Sequence, residues 1–185
     1  MNTALILIDV QESFRQRPYW NETSARAFLA HTNALVAGCS ARGVPVVRIL
    51  HSDGPAEVSN PFAVESGFVR PLRGLAPFNA AAEFTKHRHS ALVGTGLMVW
   101  LHQNAINRLV VAGIRTEQCC ETTARHASDE GFTVDYCADA TLTFDMQHLD
   151  GSPLPAADIV ARTSAVLRDR FATICSVAQA LERAD

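Results

Sequence analysis

Short apolar segments of strand length recur along this chain, and amphipathic segments of helix length lie between them. ALILID (4–9) stays apolar until Asp9, and RLVVAG (108–113) is apolar after its first residue. Such runs are typical of parallel strands that are buried on both faces of a sheet. Their regular alternation with helical segments predicts an α/β domain, in which helices cover both faces of a parallel sheet through right-handed crossovers.

The same patterns locate the individual elements. Asn21 or Thr23 is a candidate N-cap for the first helix, and Gly43 is placed to end it. The predicted strands are residues 4–9, 44–50, 83–86, 108–113, 132–137 and 171–175, and the predicted helices are residues 21–41, 95–104, 117–130 and 156–168 with a terminal helix. The sequence shows no repeat or linker, so we expect a single domain, residues 1–185.

Two segments are predicted to be irregular. Residues 52–80 are rich in proline and glycine and have little periodicity, which is typical of loops that carry function. This excursion is a candidate lid or subunit contact. Residues 139–155 are expected to form a second loop, ahead of the fourth helix.

Composition and charge exclude several classes of protein. The chain is 48% hydrophobic and 19% charged with a net charge of -3, unlike disordered or nucleic-acid-binding chains. The N-terminal apolar run has no basic leader and is interrupted by Asp9, so we interpret it as a strand and expect a cytoplasmic protein that does not bind membranes. Five cysteines, an odd number without a C-x-x-C pair, predict free thiols.

Three reactive side chains follow predicted strands. Asp9 ends the first strand, Lys86 ends the third, and Cys119 follows the fourth at the start of a predicted helix. Because ligands bind beyond the carboxyl ends of parallel strands, we expect these side chains to share a site. A thiol in a first helical turn has its pKa lowered by the helix dipole and by unpaired amides. Asp9 is then placed to accept the thiol proton, and Lys86 to stabilise the thiolate.

Each of the three residues also has a structural interpretation. An aspartate after a strand often caps a loop, a single lysine is usually solvated, and a cysteine is more often core than nucleophile. Their coincidence at strand ends favours the functional interpretation.

Three stretches resemble the isochorismatase-like cysteine hydrolases, a superfamily that includes nicotinamidases, N-carbamoylsarcosine amidohydrolases and isochorismatases. They are ALILIDVQESF, FTKHRHSALVGTGL and VVAGIRTEQCCETTARHASDEGFTVDYCADAT. The third stretch is the most specific, because it contains a Gly-x-x-Thr-x-x-Cys core formed by Gly113, Thr116 and Cys119. The matches run in order over roughly the whole chain.

The resemblance implies a three-layer α/β/α fold with a six-stranded, mainly parallel sheet. It also implies that Cys119 attacks a carbonyl to form a thioester, with Asp9 as the general base and Lys86 as the electrostatic partner. By the same match, the Ile114–Arg115 peptide bond is cis, and the amides of Arg115 and Cys119 form the oxyanion hole.

Residues in loops after strands are candidates for the walls of a pocket. The substrate-binding candidates are Gln11, Phe14, Trp20, Arg115 and Phe144. Each of the aromatic residues also fits a core position or a subunit contact. The Arg115 guanidinium either pairs with a carboxylate of the substrate or turns to Glu117.

Histidines near the strand ends are candidates for a metal site. Metal-binding nicotinamidases carry an Asp-x-His pair and a further histidine after the second strand, whereas this chain has His51 and Asp53 in the reverse order. His87 and His89 alternate along an extended segment, which suits a zinc pair, but no third ligand accompanies them. We therefore predict no metal and no cofactor.

Together these observations predict a hydrolase that cleaves an amide or carbamoyl C–N bond of a small molecule through a thioester acyl-enzyme. Vinyl-ether hydrolysis of the isochorismatase type is an alternative that uses the same fold and aspartate. A thiol redox sensor without hydrolytic activity is another, suggested by the adjacent Cys119 and Cys120. Relatives of this kind form dimers or larger assemblies, so we expect a homodimer or higher homo-oligomer.

Overall fold

The computed structural model describes residues 2–184 and contains a six-stranded sheet and a small hairpin. The strands are β1 (Thr3–Ile8), β2 (Val46–His51), β3 (Ala82–Lys86), β4 (Arg108–Ile114), β5 (Thr133–Leu142), β6 (Met146–Gln147), β7 (Pro153–Leu154) and β8 (Thr173–Cys175). In space, the order of the large sheet is β3-β2-β1-β4-β5-β8, and each neighbouring pair is parallel. The antiparallel hairpin is formed by β6 and β7.

Within residues 2–184, five α-helices connect and cover the strands. They are α1 (Glu22–Ala41), α2 (Leu97–Gln103), α3 (Glu121–Asp129), α4 (Ala156–Leu167) and α5 (Val177–Arg183). The predicted cap of the first helix is confirmed, because the Asn21 side chain accepts hydrogen bonds from the backbone N–H groups of Thr23 and Ser24.

The central strand β1 shows why its segment is apolar throughout. Leu5 and Leu7 face the core layer that contains α1 and α5. Ala4, Ile6 and Ile8 face the opposite layer, which contains α2, α3 and α4. Because alternate side chains of a strand point to opposite faces, β1 is buried along its whole length. The predicted three-layer α/β/α architecture is therefore confirmed.

Most predicted bounds lie within two residues of the observed ones, but two elements differ more. The strand expected to end at residue 137 continues as β5 to Leu142, after a shift of register opposite β4. Asp139 is accommodated there because its carboxylate accepts hydrogen bonds from the Val177 N–H and the Cys137 thiol. The helix expected from residue 117 begins instead with a π-helical turn, Thr116–Cys120, that leads into α3.

The excursion at residues 52–80 is irregular as predicted, with one 3-10 turn at Val64–Ser66. It is fastened to the loop that follows β1. The Glu12 N–H donates to the Arg70 carbonyl oxygen at 3.0 Å, and the Glu12 carboxylate accepts from the Arg73 N–H at 2.6 Å. Among residues 2–184, no helix is long and apolar enough to cross a membrane.

Candidate active site

The carboxyl ends of three strands place the predicted reactive residues together. Asp9 follows β1, Lys86 is the last residue of β3, and Cys119 lies in the π-helical turn after β4. The Lys86 Nζ lies 2.8 Å from Asp9 Oδ2 and 3.2 Å from Cys119 Sγ. Asp9 and Lys86 have no exposed surface and Cys119 is 5% exposed, so the ammonium and the carboxylate are out of contact with bulk water and the thiol is nearly so.

A glycine in β4 permits the close approach of the two central strands. Gly113 pairs with Ile8 across β1 and β4, and its φ is +135°. A Cβ at this position would lie 1.9 Å from the Ile8 carbonyl oxygen, so the approach requires a residue without a side chain. Asp9 follows Ile8 with a φ of 53°, so the chain leaves the strand conformation at the candidate base.

The pKa of the Cys119 thiol is raised to about 12, first by burial and then by the Asp9 carboxylate, which together outweigh the lowering effect of Lys86. The prediction that a helix dipole lowers this pKa is therefore wrong for the resting site. The thiol is buried in a π-helical turn and not exposed at the first turn of an α-helix. In the resting site, Cys119 carries its proton.

Asp9 and Lys86 are perturbed in ways that suit proton transfer. Burial raises the pKa of the Asp9 carboxyl, and the positive charge of Lys86 offsets this rise only in part. Burial lowers the pKa of Lys86, but Asp9 and Cys119 raise it by more, so its net shift is upward. Lys86 therefore remains an ammonium, and Asp9 is a stronger base than an exposed carboxylate.

The two adjacent cysteines have different surroundings. Cys119 lines a cavity, whereas Cys120 has no exposed surface and packs in the core layer with α2 and α3. Burial raises the pKa of the Cys120 thiol well above its ordinary value. All five cysteines are free, as predicted.

The cavity beside Cys119 has a volume of about 310 Å³. It is lined by Phe14, Arg17, Tyr19, His51, Asp53, Gly54, Pro55, Asn60, Phe62, His89, Gln118 and Cys119. Because five of these residues belong to the excursion at residues 52–80, that segment forms one wall of the cavity. A larger depression of about 460 Å³ beside α1 contains none of the three reactive residues, so we place the candidate site at Cys119.

Of the aromatic residues proposed for the pocket, only Phe14 lines the cavity. Trp20 and Phe144 contact each other, with ring centroids 5.7 Å apart, and pack in the core layer beside α1. The other aromatic walls are Tyr19, which packs on Phe144 at 4.8 Å, and Phe62, which meets Phe14 edge-on at 5.0 Å. Sequence reasoning missed Tyr19 and Phe62 because their positions depend on how two irregular loops pack.

The Gln11 side chain links the loop after β1 to the end of β2 by hydrogen bonds, and it does not line the cavity. Its amide nitrogen donates to the His51 carbonyl oxygen at 2.9 Å and to Ser13 Oγ at 2.8 Å. Its Oε1 accepts from the His51 N–H at 2.7 Å. Because both amide hydrogens have partners within the protein, the structure gives Gln11 a structural contact in place of the expected substrate contact.

The Ile114–Arg115 peptide bond is cis, as the resemblance implied. The Arg115 guanidinium pairs with Glu117 at 3.0 Å and lies over the rings of Tyr19 and Phe144, 5.3 and 5.6 Å from their centroids. Of the two alternatives for this side chain, the structure shows the pairing with Glu117. The assignment of the Arg115 and Cys119 amides to an oxyanion hole stays a prediction.

Two histidines that the sequence analysis considered only as metal ligands lie at the site. His51 Nδ1 lies 2.9 Å from Lys86 Nζ, and His89 Nδ1 lies 4.0 Å from Cys119 Sγ. The strand-end argument would have selected His51 if it had been applied to β2, because His51 and Lys86 are register partners at the ends of β2 and β3. His89 follows β3 by three residues and had no comparable signal.

Within residues 2–184, no group of three histidine, cysteine or carboxylate side chains is arranged to hold a metal ion. His51 Nδ1 faces the Lys86 ammonium, and His87 Nδ1 contacts the Ser52 carbonyl oxygen at 2.8 Å. His87 and His89 therefore point to different partners and do not form the pair that their spacing suits.

A parallel α/β/α domain with a buried carboxylate, ammonium and thiol at the carboxyl edge of its sheet defines a class of small-molecule hydrolases. The chain belongs to the isochorismatase family, whose domain matches residues 3–179. It is accordingly a hydrolase of that family.

Individual relatives agree with this assignment. The isochorismatase family protein YrdC of Bacillus subtilis is 30% identical over 181 residues, which cover 95% of this chain and 92% of YrdC. A structure from Chromobacterium violaceum, described as a hydrolase of the isochorismatase family, superposes with a TM-score of 0.87 at 27% identity, covering 98% of this chain and 92% of that one. Nicotinamidase 3 of Arabidopsis thaliana is 42% identical over 60 residues, or 32% of this chain and 30% of the plant protein.

Proposed function

We propose that this protein hydrolyses an amide or carbamoyl C–N bond of a small molecule, with Cys119 as the nucleophile. The observation that carries the proposal is the pair of contacts made by Lys86 Nζ, to Asp9 Oδ2 at 2.8 Å and to Cys119 Sγ at 3.2 Å, beside an open cavity. A base, a cation and a nucleophile are thereby within reach of one bound carbonyl group.

Activation of the thiol requires one proton transfer. The Cys119 proton passes to the Asp9 carboxylate, which becomes a neutral acid, and the thiolate pairs with the Lys86 ammonium. The three groups have a net charge of zero both before and after the transfer, so the buried site does not have to stabilise an additional charge. The raised pKa of Asp9 favours this transfer.

The covalent steps then balance without a cofactor. The thiolate attacks the carbonyl carbon, the C–S bond forms, and the carbonyl π electrons move to oxygen. Collapse of this intermediate breaks the C–N bond, and the departing amine takes the proton from Asp9. Asp9 next removes a proton from water, whose oxygen attacks the thioester, and the Cys119 thiolate leaves and regains the proton.

The size and lining of the cavity support a small substrate. A volume of about 310 Å³ lies at the lower end of the range for small-molecule sites. Phe14, Tyr19 and Phe62 offer apolar surface, while Arg17 and Asp53 offer charged groups of both signs. The similarity to Nicotinamidase 3, which its name describes as an amidase, favours an amide over a vinyl ether.

Turnover of a panel of primary amides, ureas and isochorismate tests the proposal. We expect ammonia release from at least one amide or urea, and we expect Cys119→Ala to reduce it by several orders of magnitude because covalent catalysis has no substitute group. A Cys119→Ala variant that still hydrolyses isochorismate would establish the vinyl-ether alternative. A wild-type protein that is inert to the panel but responds to oxidants would establish the redox sensor.

Asp9→Asn tests the role of the base separately. Because the Asp9 carboxylate raises the pKa of Cys119, its removal is expected to speed alkylation of Cys119 by iodoacetamide. Turnover is nevertheless expected to fall by about 10²- to 10⁴-fold, since the general base is lost. Asp129→Asn, on the exposed end of α3, is the matched control. An Asp9→Asn variant with normal turnover would contradict the mechanism.

A further inference from the structure

The imidazole of His51 is the third group in contact with the Lys86 ammonium, after Asp9 and Cys119. His51 ends β2 beside Lys86 at the end of β3, and its Nδ1 lies 2.9 Å from Lys86 Nζ. An ammonium group can only donate hydrogen bonds, so His51 Nδ1 must be the acceptor. His51 is therefore neutral in this contact and carries its proton on Nε2.

The Lys86 ammonium contacts three side chains. It hydrogen-bonds to Cys119 Sγ and to His51 Nδ1, and it forms an ion pair with Asp9 Oδ2 at 2.8 Å. Within residues 2–184 the Asp9 carboxylate oxygens have no hydrogen-bond partner, so the Asp9 contact is one of charge. Lysine otherwise has a flexible side chain with many rotamers, and its ammonium is a point charge without directional preference. A third fixed acceptor therefore restricts where the buried charge lies relative to the thiol.

The position of His51 is itself fixed by the backbone. Gln11 binds both the N–H and the carbonyl oxygen of His51, at 2.7 and 2.9 Å. Gln11 lies two residues after Asp9, so the same loop that contains the candidate base also fixes the histidine. The ring of Phe62 meets the imidazole edge-on at 6.0 Å, which limits its rotation from the side of the cavity.

We propose that His51 is a positioning residue that keeps the Lys86 ammonium in contact with Asp9 and Cys119. The inference rests on the proposed function, because it assigns His51 to the same thiol-activating site. Without the imidazole, one buried N–H of Lys86 loses its acceptor, and the ammonium regains a partner only by moving toward the cavity and away from the sulfur.

The charges that surround His51 agree with a neutral imidazole. Asp53 Oδ2 lies 3.8 Å from His51 Nε2, and Lys86, His87 and His89 are the other titratable groups that face the ring. Burial and then Lys86 lower the pKa of His51 to about 4, against a smaller raising effect of Asp53. The acceptor is consequently available at neutral pH.

The experiment compares alkylation of Cys119 by iodoacetamide across pH in the full chain, in three His51 variants and in one control variant. His51→Leu removes the acceptor, whereas His51→Asn places an amide oxygen near the position of Nδ1. His51→Gln places its amide near the position of Nε2 and replaces the leucine variant if that one does not fold. His87→Asn is the matched control, because His87 is exposed. Within residues 2–184, the one hydrogen bond of its side chain is with the Ser52 carbonyl oxygen.

We expect His51→Leu and His51→Gln to shift the alkylation profile to higher pH, because a displaced ammonium stabilises the thiolate less. Each unit of increase in the pKa of Cys119 slows alkylation at a given pH by about ten-fold. We also expect kcat to fall more than KM rises, and His51→Asn to restore both the profile and kcat toward the wild-type values.

Two results would overturn the proposal: an unchanged profile in a folded His51→Leu or His51→Gln variant, or equal losses in the asparagine and leucine variants. Alkylation requires no substrate, so the two hypotheses fail in distinguishable ways. A shifted profile in a protein that hydrolyses no amide would support the contact between His51 and Lys86 and would contradict the proposed function alone.

Discussion

Replacing Gly113 with alanine tests whether the approach of β4 to β1 forms the site. The new Cβ would lie 1.9 Å from the Ile8 carbonyl oxygen and 2.7 Å from the Ile8 carbonyl carbon. Both atoms belong to the backbone of a strand buried on both faces, so they cannot move without displacing β1. Because Asp9 follows Ile8 directly, any displacement of β1 also moves the candidate base.

The expected loss of stability has two contributions. A non-glycine residue at a φ of +135° costs about 1–3 kcal/mol. Overpacking against the Ile8 backbone adds about 1–3 kcal/mol. The total of about 2–6 kcal/mol is a large part of the 5–15 kcal/mol that stabilises a typical domain.

Gly131→Ala separates these two contributions. Gly131 also has a positive φ, +89°, but a Cβ there would have no atom within 4 Å. In urea unfolding, we expect Gly131→Ala to lower the free energy of unfolding by the conformational contribution only. We expect Gly113→Ala to lower it by both contributions. Turnover of the folded Gly113→Ala protein is expected to fall by up to about 10²-fold, since a displacement near 1 Å at a catalytic group has effects of that size.

The reasoning would be refuted if Gly113→Ala were no less stable than Gly131→Ala and turned over substrate at the wild-type rate. In that case β1 and β4 would tolerate a larger separation, and the contact between Lys86 and Asp9 would not depend on the glycine.

Four further outcomes are expected. In the native protein, iodoacetamide should modify Cys119 before Cys120, as peptide mapping can show, because only Cys119 lines the cavity; Cys120→Ala should cost about 1 kcal/mol in urea unfolding and leave turnover intact. Burial raises the pKa of the Cys39 thiol from 9.0 to about 11, so the unfolded chain loses this proton at a lower pH than the folded protein. The free energy of unfolding should therefore fall as pH rises above 9, and it should fall less steeply in Cys39→Ala. Chelator-treated protein should keep its turnover, and zinc-restored activity after chelation would contradict this expectation. Sedimentation should show a dimer or larger species, and a stable monomer at micromolar concentration would refute self-association.

Much of the fold and part of the site follow from local patterns. Burial on both faces favours apolar residues, so the run from Ala4 to Ile8 identifies a central parallel strand without any knowledge of its neighbours. The strand-end argument then selects Asp9, Lys86 and Cys119. In the structure, Asp9 Oδ2 and Cys119 Sγ lie 2.8 and 3.2 Å from the Lys86 ammonium. Phe14 was found in the same way.

Other assignments could not be made from the sequence, because they depend on packing between distant segments. Trp20 and Phe144 were proposed for the cavity, yet they pack together in the core, while Tyr19 and Phe62 line the cavity instead. No local pattern distinguishes an aromatic residue in a loop that faces a cavity from one that faces the core.

The amino-acid sequence by itself determined the alternation of buried strands and covering helices, and it placed reactive residues at the carboxyl edge of the sheet. The tertiary structure alone decided the protonation of that site. Burial raises the pKa of Cys119 where the helix-dipole argument predicted a lower value, since desolvation depends on everything packed around the sulfur. The tertiary structure also decided the third partner of Lys86. His51 lies 35 positions away in sequence and meets the ammonium only where β2 and β3 end side by side.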